Sequence, residues 1–207
     1  MKFMKPIFAM SALLFASLTF AAAPEAGYKV LNQEQPTRNS KKIEVLEFFF
    51  YGCSHCYNLQ PEMNAMEKNM PKDVELIYVP TIFSDNMEPM ARTFYALEAM
   101  GELHRVHNEL FNAWNVRMLD LSSEEKITDF MAQQGVDRKK FSDAYSAFST
   151  QSKVARSKQL VLNYGVRGTP TMAVNGKYVV TGLGPKETMR VVNSLITKVR
   201  KERAGKI

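Results

Sequence analysis

The stretch Ile43 to Phe50, IEVLEFFF, constrains this chain more than any other. It is rich in aromatic and β-branched residues, ends at a Tyr51-Gly52 turn and reads as a buried strand rather than a helix. From Ser54 to about Met70 the apolar residues Tyr57, Leu59, Met63, Met66 and Met70 recur near helical spacing, with Pro61 expected as a kink or a first-turn residue. Val74 to Val79, VELIYV, then reads as a second strand. Strand, helix, strand is the unit of a parallel pair, so the fold built around it is α/β.

Beyond Pro80 the pattern turns helical. Helices are expected near 86–100, 102–115, 123–134, 138–147 and 150–164, punctuated by Gly101, Asp120-Leu121-Ser122 and Gly135. The second carries Leu103, Val106, Leu110, Phe111 and Trp114, an amphipathic stripe suited to core packing. After Gly165 the chain returns to strands at Thr171–Val174 and Tyr178–Val180, joined by the hairpin signal Asn175-Gly176. A last helix is expected over 185–199, with Met189, Val192, Leu195, Ile196 and Val199 on one face, and a short edge strand over 28–31. The expected architecture is an α/β domain interrupted by an all-helical insertion.

Residues 1–23 place Lys2 and Lys5 before an apolar run from Ile7 to Phe20 and a small-residue cleavage region. This is the pattern of a secretory signal peptide, with cleavage after Ala21 or Ala23. A membrane anchor fits less well, because the run falls short of the roughly 20 apolar residues a spanning helix needs and is diluted by Ser11, Ser17 and Thr19. Cleavage removes Lys2 and Lys5 and takes the formal charge from +6 to +4. The remaining basic residues alternate with acids, which argues against nucleic-acid binding. A hydrophobic fraction of 45% with 23% charged residues excludes a disordered or fibrous chain. The mature protein is expected to be soluble outside the cytoplasm.

That location gives the two cysteines their meaning, because in an oxidising compartment a thiol pair is either a structural bridge or a redox centre. Cys53 and Cys56 would close only a tiny loop, which restrains almost none of the unfolded chain. Placed after a buried strand and at the start of a helix, Gly52-Cys53-Ser54-His55-Cys56 signals thiol–disulfide exchange. Orphan N–H groups and the helix dipole stabilise a thiolate at the first cysteine, not at the second one turn further in. His55, when protonated, adds a positive charge nearby. A metal site is the competing reading, with Cys53, His55, Cys56 and the pair His104 and His107 as its only Cys and His ligands. A closed zinc site needs a second pair at characteristic spacing, so His104 and His107 read as polar residues beside a packed stripe and no metal is expected.

The run Val45 to Tyr57, VLEFFFYGCSHCY, with Val166 to Met172, VRGTPTM, and Val174 to Tyr178, VNGKY, resembles the DsbA family of periplasmic thiol oxidases over essentially the whole mature chain. The resemblance implies a thioredoxin fold, with its first part over 24–84, a helical insertion domain over 85–164 and its second part over 165–207. It implies a periplasmic oxidoreductase that donates its Cys53–Cys56 disulfide to newly exported proteins and needs no other cofactor. Pro170 matches the family's cis-proline, and Thr169 before it would offer main-chain groups to an extended substrate, beside Ser54 of the active-site dipeptide. Glu47, an acid in an apolar strand, matches a buried acid beneath the disulfide that would exchange a proton with Cys56. The implied partners are unfolded exported proteins with free thiols and a DsbB-like, quinone-linked inner-membrane oxidase, and a monomer is expected.

Two departures bear on these roles. Ser54-His55 stands where the best-known members have Pro-His, and Tyr78 stands in place of the buried acid's basic partner, leaving Glu47 without a counter-charge. An isomerase or reductase kept reduced, and a chaperone-like binder whose cysteines are dispensable, are the alternatives. The first usually carries a dimerisation domain, for which the short N-terminal stretch leaves no room.

Overall fold

The computed structural model describes residues 27–205, so the secretory leader expected over 1–23 lies outside the described residues. The chain runs β1 (Lys29–Val30), β2 (Ile43–Phe49), α1 (Ser54–Lys68), β3 (Val74–Pro80), α2 (Glu88–Met100), α3 (Leu103–Asn115), α4 (Glu124–Gln133), α5 (Arg138–Ser146), α6 (Phe148–Asn163), β4 (Thr171–Val174), β5 (Tyr178–Thr181) and α7 (Pro185–Ala204). The strands form one sheet in the order β1-β5-β4-β2-β3. β2 and β3 are parallel, while β4 pairs antiparallel with both β2 and β5. This is a thioredoxin-type sheet interrupted, between β3 and β4, by five helices.

β2 is central and every one of its residues is buried. Strand alternation sends Ile43 and Val45 to one face, where they meet Leu59 and Met63 of α1 and Leu195 and Val199 of α7. Leu46 and Phe48 face the other side and pack with Val161 and Tyr164 near the end of α6. At the end of β2, Phe49, Tyr51 and Cys56 merge into the core of the helical insertion, built from Phe94, Leu97, Val106, Leu110, Phe111 and residues of α4 and α5. Each such large apolar side chain contributes about 1.5–3 kcal/mol on burial. The insertion therefore shares its core with the end of the strand that leads to the cysteines.

Three elements differ from the sequence expectations. Pro61 lies well inside α1, past the first turn, and Gln60 Nε2 donates to the Cys56 carbonyl one turn back at 3.5 Å. The expected start of α2 is a short 3₁₀ turn, Asp85–Met87, ahead of Glu88. α7 continues past its last apolar contact, Val199, to Ala204, held by polar contacts. Arg200 donates twice to Asp73, and Arg203 donates to the Lys42 carbonyl and to Asn175 Oδ1. Asn175 and Gly176 turn the β4–β5 hairpin at φ 53° and 68°, and Gly176 receives the Gln35 N–H on its carbonyl at 2.8 Å.

Candidate active site

Cys53 is the N-cap of α1, with extended backbone (φ −91°, ψ 113°), and its sulfur accepts the Cys56 N–H at 3.4 Å. The cap forms because the Tyr51-Gly52 turn reverses the chain, closed by Cys53 N–H donating to the Phe50 carbonyl at 3.0 Å. A sulfur there takes up backbone donors that the helix leaves unpaired. Cys53 is half-buried and Cys56 fully buried, and the two are not bridged to each other.

The two sulfurs are driven apart in acidity. A hydrogen bond from the Cys56 thiol is the largest influence on Cys53 and, with the Thr169 side chain and the Cys56 and His55 N–H groups, outweighs burial and holds its thiol at about 5. Burial pushes the Cys56 thiol far above the ordinary range, reinforced by its bond to Cys53 and by Glu47. Cys53 is thus a thiolate at neutral pH and Cys56 a thiol.

The Thr169–Pro170 peptide bond is cis, and the Thr169 carbonyl lies 3.3 Å from the Cys53 sulfur, where it accepts the S–H of the protonated thiol. Thr169 and Pro170 are half-buried, whereas Ser54 and His55, on the first turn of α1, are exposed. The structure brings Cys53, Cys56 and Thr169 together, with Ser54 and His55 at the rim.

Glu47 is completely buried, and neither carboxylate oxygen has a hydrogen-bond partner. Burial, then the charges of Glu67 and Cys53, raise its carboxyl to about 8, so it is mostly protonated at neutral pH. It sits opposite Tyr78 of β3 in the sheet register, and no cation is among the groups that shift it. The Glu47 charge is among the influences that raise the Cys56 thiol, and Cys53 among those that raise Glu47.

His107 departs from its expected place as a polar residue beside the stripe. It is buried among the rings of Phe49, Tyr51, Tyr78, Phe94 and Phe111, with centroids 5.1–6.1 Å away. Its Nδ1 bonds the Tyr51 hydroxyl at 2.7 Å, and desolvation, then His104, lowers it to about 3, so it is neutral. Sequence reasoning also missed Asn115, whose Nδ2 donates to the Tyr51 carbonyl at 2.8 Å. The signal was available, since His107, Phe111, Trp114 and Asn115 recur at helical spacing on the face of α3 that already carried the apolar stripe. Among the described residues, no three His, Cys, Asp or Glu side chains gather into a metal-binding group.

A thioredoxin-type sheet that offers one sulfur as thiolate and keeps its neighbour as thiol favours the dithiol over the disulfide, and proteins so built are thiol:disulfide oxidoreductases. The DSBA-like thioredoxin domain matches residues 44–191. The thiol:disulfide interchange protein DsbA of Pseudomonas aeruginosa is 35% identical over 201 residues, covering 92% of this chain and 95% of that protein. Its counterpart in Burkholderia cepacia is 40% identical over 160 residues, 76% of each. The crystal structure of Pseudomonas aeruginosa DsbA superposes with a TM-score of 0.83 at 36% identity, covering 86% of this chain and 94% of that one. The chain belongs to the DsbA family of thiol:disulfide oxidoreductases.

Proposed function

We propose that this protein is a disulfide donor for newly exported proteins in the periplasm, with Cys53 as the exchanging sulfur. The opposed acidities of Cys53 and Cys56 carry the reading. A substrate thiolate attacks Cys53 of the Cys53–Cys56 disulfide, forming a substrate–Cys53 disulfide and releasing Cys56 as a thiolate. That buried thiolate takes a proton, for which the neutral Glu47 carboxyl is the nearby source. A second substrate thiolate then attacks the substrate sulfur of the mixed disulfide. The substrate leaves oxidised, the two electrons stay on the Cys53–Cys56 pair, and Cys53 departs as a stabilised thiolate.

Thr169 and Pro170, facing Cys53, are suited to receive an extended substrate segment, with Ser54 and His55 at the rim. Exposed Val116, Met118 and Leu119 directly follow Asn115, the residue bonded to the Tyr51 carbonyl, and give unfolded chains an apolar surface beside the site. The proposed protein acts as a monomer, is secreted by its leader over 1–23, needs no cofactor beyond its own disulfide and is reoxidised by a quinone-linked membrane oxidase resembling DsbB.

Equilibration of the Cys53–Cys56 pair with glutathione buffers tests this. A donor has a potential well above the about −270 mV of thioredoxin. A value at or below that level would place the protein among reductases instead.

A further inference from the structure

Tyr51, two residues before Cys53, is held at both ends by α3. Asn115 Nδ2 donates to the Tyr51 carbonyl at 2.8 Å and to the Phe111 carbonyl at 2.9 Å, so the amide is fixed by its own helix while it holds the turn. At the other end, Nδ1 of the buried neutral His107 shares a hydrogen bond with the Tyr51 hydroxyl, 2.7 Å away. Between these points the Tyr51 ring lies 4.8 Å from that of Phe111. The next residue is wedged as well: a Cβ on Gly52 would lie 2.5 Å from the Phe50 ring and 2.7 Å from Trp114 Nε1.

The segment 50–52 ends at the N-cap, and everything that distinguishes Cys53 from an ordinary cysteine depends on its position there. The Cys56 N–H donates to its sulfur at 3.4 Å, a directional contact that a displacement of the turn would weaken, while the Thr169 carbonyl faces the same sulfur at 3.3 Å. We propose that α3 clamps the redox turn, with Asn115 and His107 as positioning residues that fix Cys53 at the helix N-cap by holding Tyr51 at its carbonyl and at its hydroxyl. The helical insertion thereby tunes the sulfur without touching it. This rests on the reading of Cys53 as the exchanging sulfur.

The test uses the mature chain with Asn115→Leu, His107→Leu and Tyr51→Phe, reading the Cys53 pKa from thiolate absorbance and the equilibrium constant with glutathione. Each substitution is expected to raise the Cys53 pKa by about one unit and move the equilibrium about tenfold toward the disulfide at pH 7, about 30 mV in potential. His107→Asn, which returns a polar atom near the Nδ1 position, is expected to stay within about twofold of the parent. Residues that merely support packing would lower the melting temperature and leave both readings in place, and that result in folded variants overturns the clamp. Should the leucine variants fail to fold, Tyr51→Phe decides by the same criteria, because it removes one oxygen and leaves the ring in its cage. A parent Cys53 that titrates at an ordinary ~8.5 overturns the clamp together with the reading of the site, whereas an acidic parent with unmoved variants overturns the clamp alone.

Discussion

The acidity of Cys53 fixes how the redox equilibrium must respond to pH. In the dithiol state Cys53 titrates at about 5, while Cys56 stays protonated throughout the accessible range. Reducing the disulfide at pH 7 therefore takes up one proton, at Cys56, while oxidising two glutathione thiols releases two. The equilibrium constant for reduction by glutathione should rise about tenfold per pH unit from about 5 to 8, and level off below about 5, where Cys53 protonates too. The sign follows from a lowered pKa: stabilisation of the dithiol is complete above the ordinary thiol value of 9.0 and is lost as pH falls through about 5. At pH 7 the thiolate gain spans about two pH units, about 2.7 kcal/mol, and solvent screening at a half-exposed sulfur cuts this to roughly 1–2 kcal/mol. Glutathione equilibration in buffers between pH 4 and 8, quenched with acid and resolved by thiol alkylation, measures the profile. An equilibrium constant flat from pH 5 to 8 would mean that Cys53 is an ordinary thiol and that the N-cap does not act on it.

Glu47→Gln should stabilise the fold at pH 7 by roughly 3 kcal/mol, because a carboxyl raised to about 8 opposes folding increasingly as pH rises from its ordinary range toward that value. Denaturant unfolding at pH 5 and pH 7 checks it, and a gain equal at both would contradict the cause given. The same variant should slow exchange if Glu47 is the proton source proposed for Cys56, and single-turnover oxidation of a thiol peptide at an unchanged rate would refute that role. Gly52→Ala should cost about 1–3 kcal/mol and shift the emission of Trp114, the chain's one tryptophan, because the new Cβ lies 2.7 Å from its indole nitrogen. Gly176→Val should cost at least about 2 kcal/mol, since a Cβ there runs into the Gln35 carbonyl at φ 68°, and thermal unfolding measures it.

The sheet and the helices were legible because their signals are local. β2 reads as a strand from eight consecutive residues, and the Asn175-Gly176 hairpin from its turn chemistry alone. Where the stabilising contacts are polar and distant, periodicity stops short. α7 reads as ending at Val199 because the next four residues, Arg200 to Arg203, are all charged, yet Asp73, Lys42 and Asn175 carry it to Ala204 through Arg200 and Arg203. Cys53 and Cys56 were legible as a pair, since their spacing and flanking elements contain the chemistry. The burial of Glu47 was legible only through the family resemblance, because by itself an acid in a strand reads equally well as a residue reaching water. The spacing of α3 puts His107 on its apolar face, but its partner was hidden: nothing near it in sequence announces that Tyr51, far along the chain, shares its hydrogen bond.

One helix end gives two cysteines opposite properties, and that opposition is what an oxidant requires. At the N-cap, Cys53 meets donors and partial exposure, so its thiolate is a good leaving group for a mixed disulfide. One turn inside, Cys56 is fully buried with only a minor backbone donor at Phe50, and its thiolate would be buried near the uncompensated Glu47. A basic side chain beside Glu47 would lower the cost of ionising it and leave the acid charged beneath the disulfide. With Tyr78 in that place, the carboxyl keeps its proton at neutral pH, so in the proposed mechanism the donor to Cys56 holds its proton before the disulfide opens.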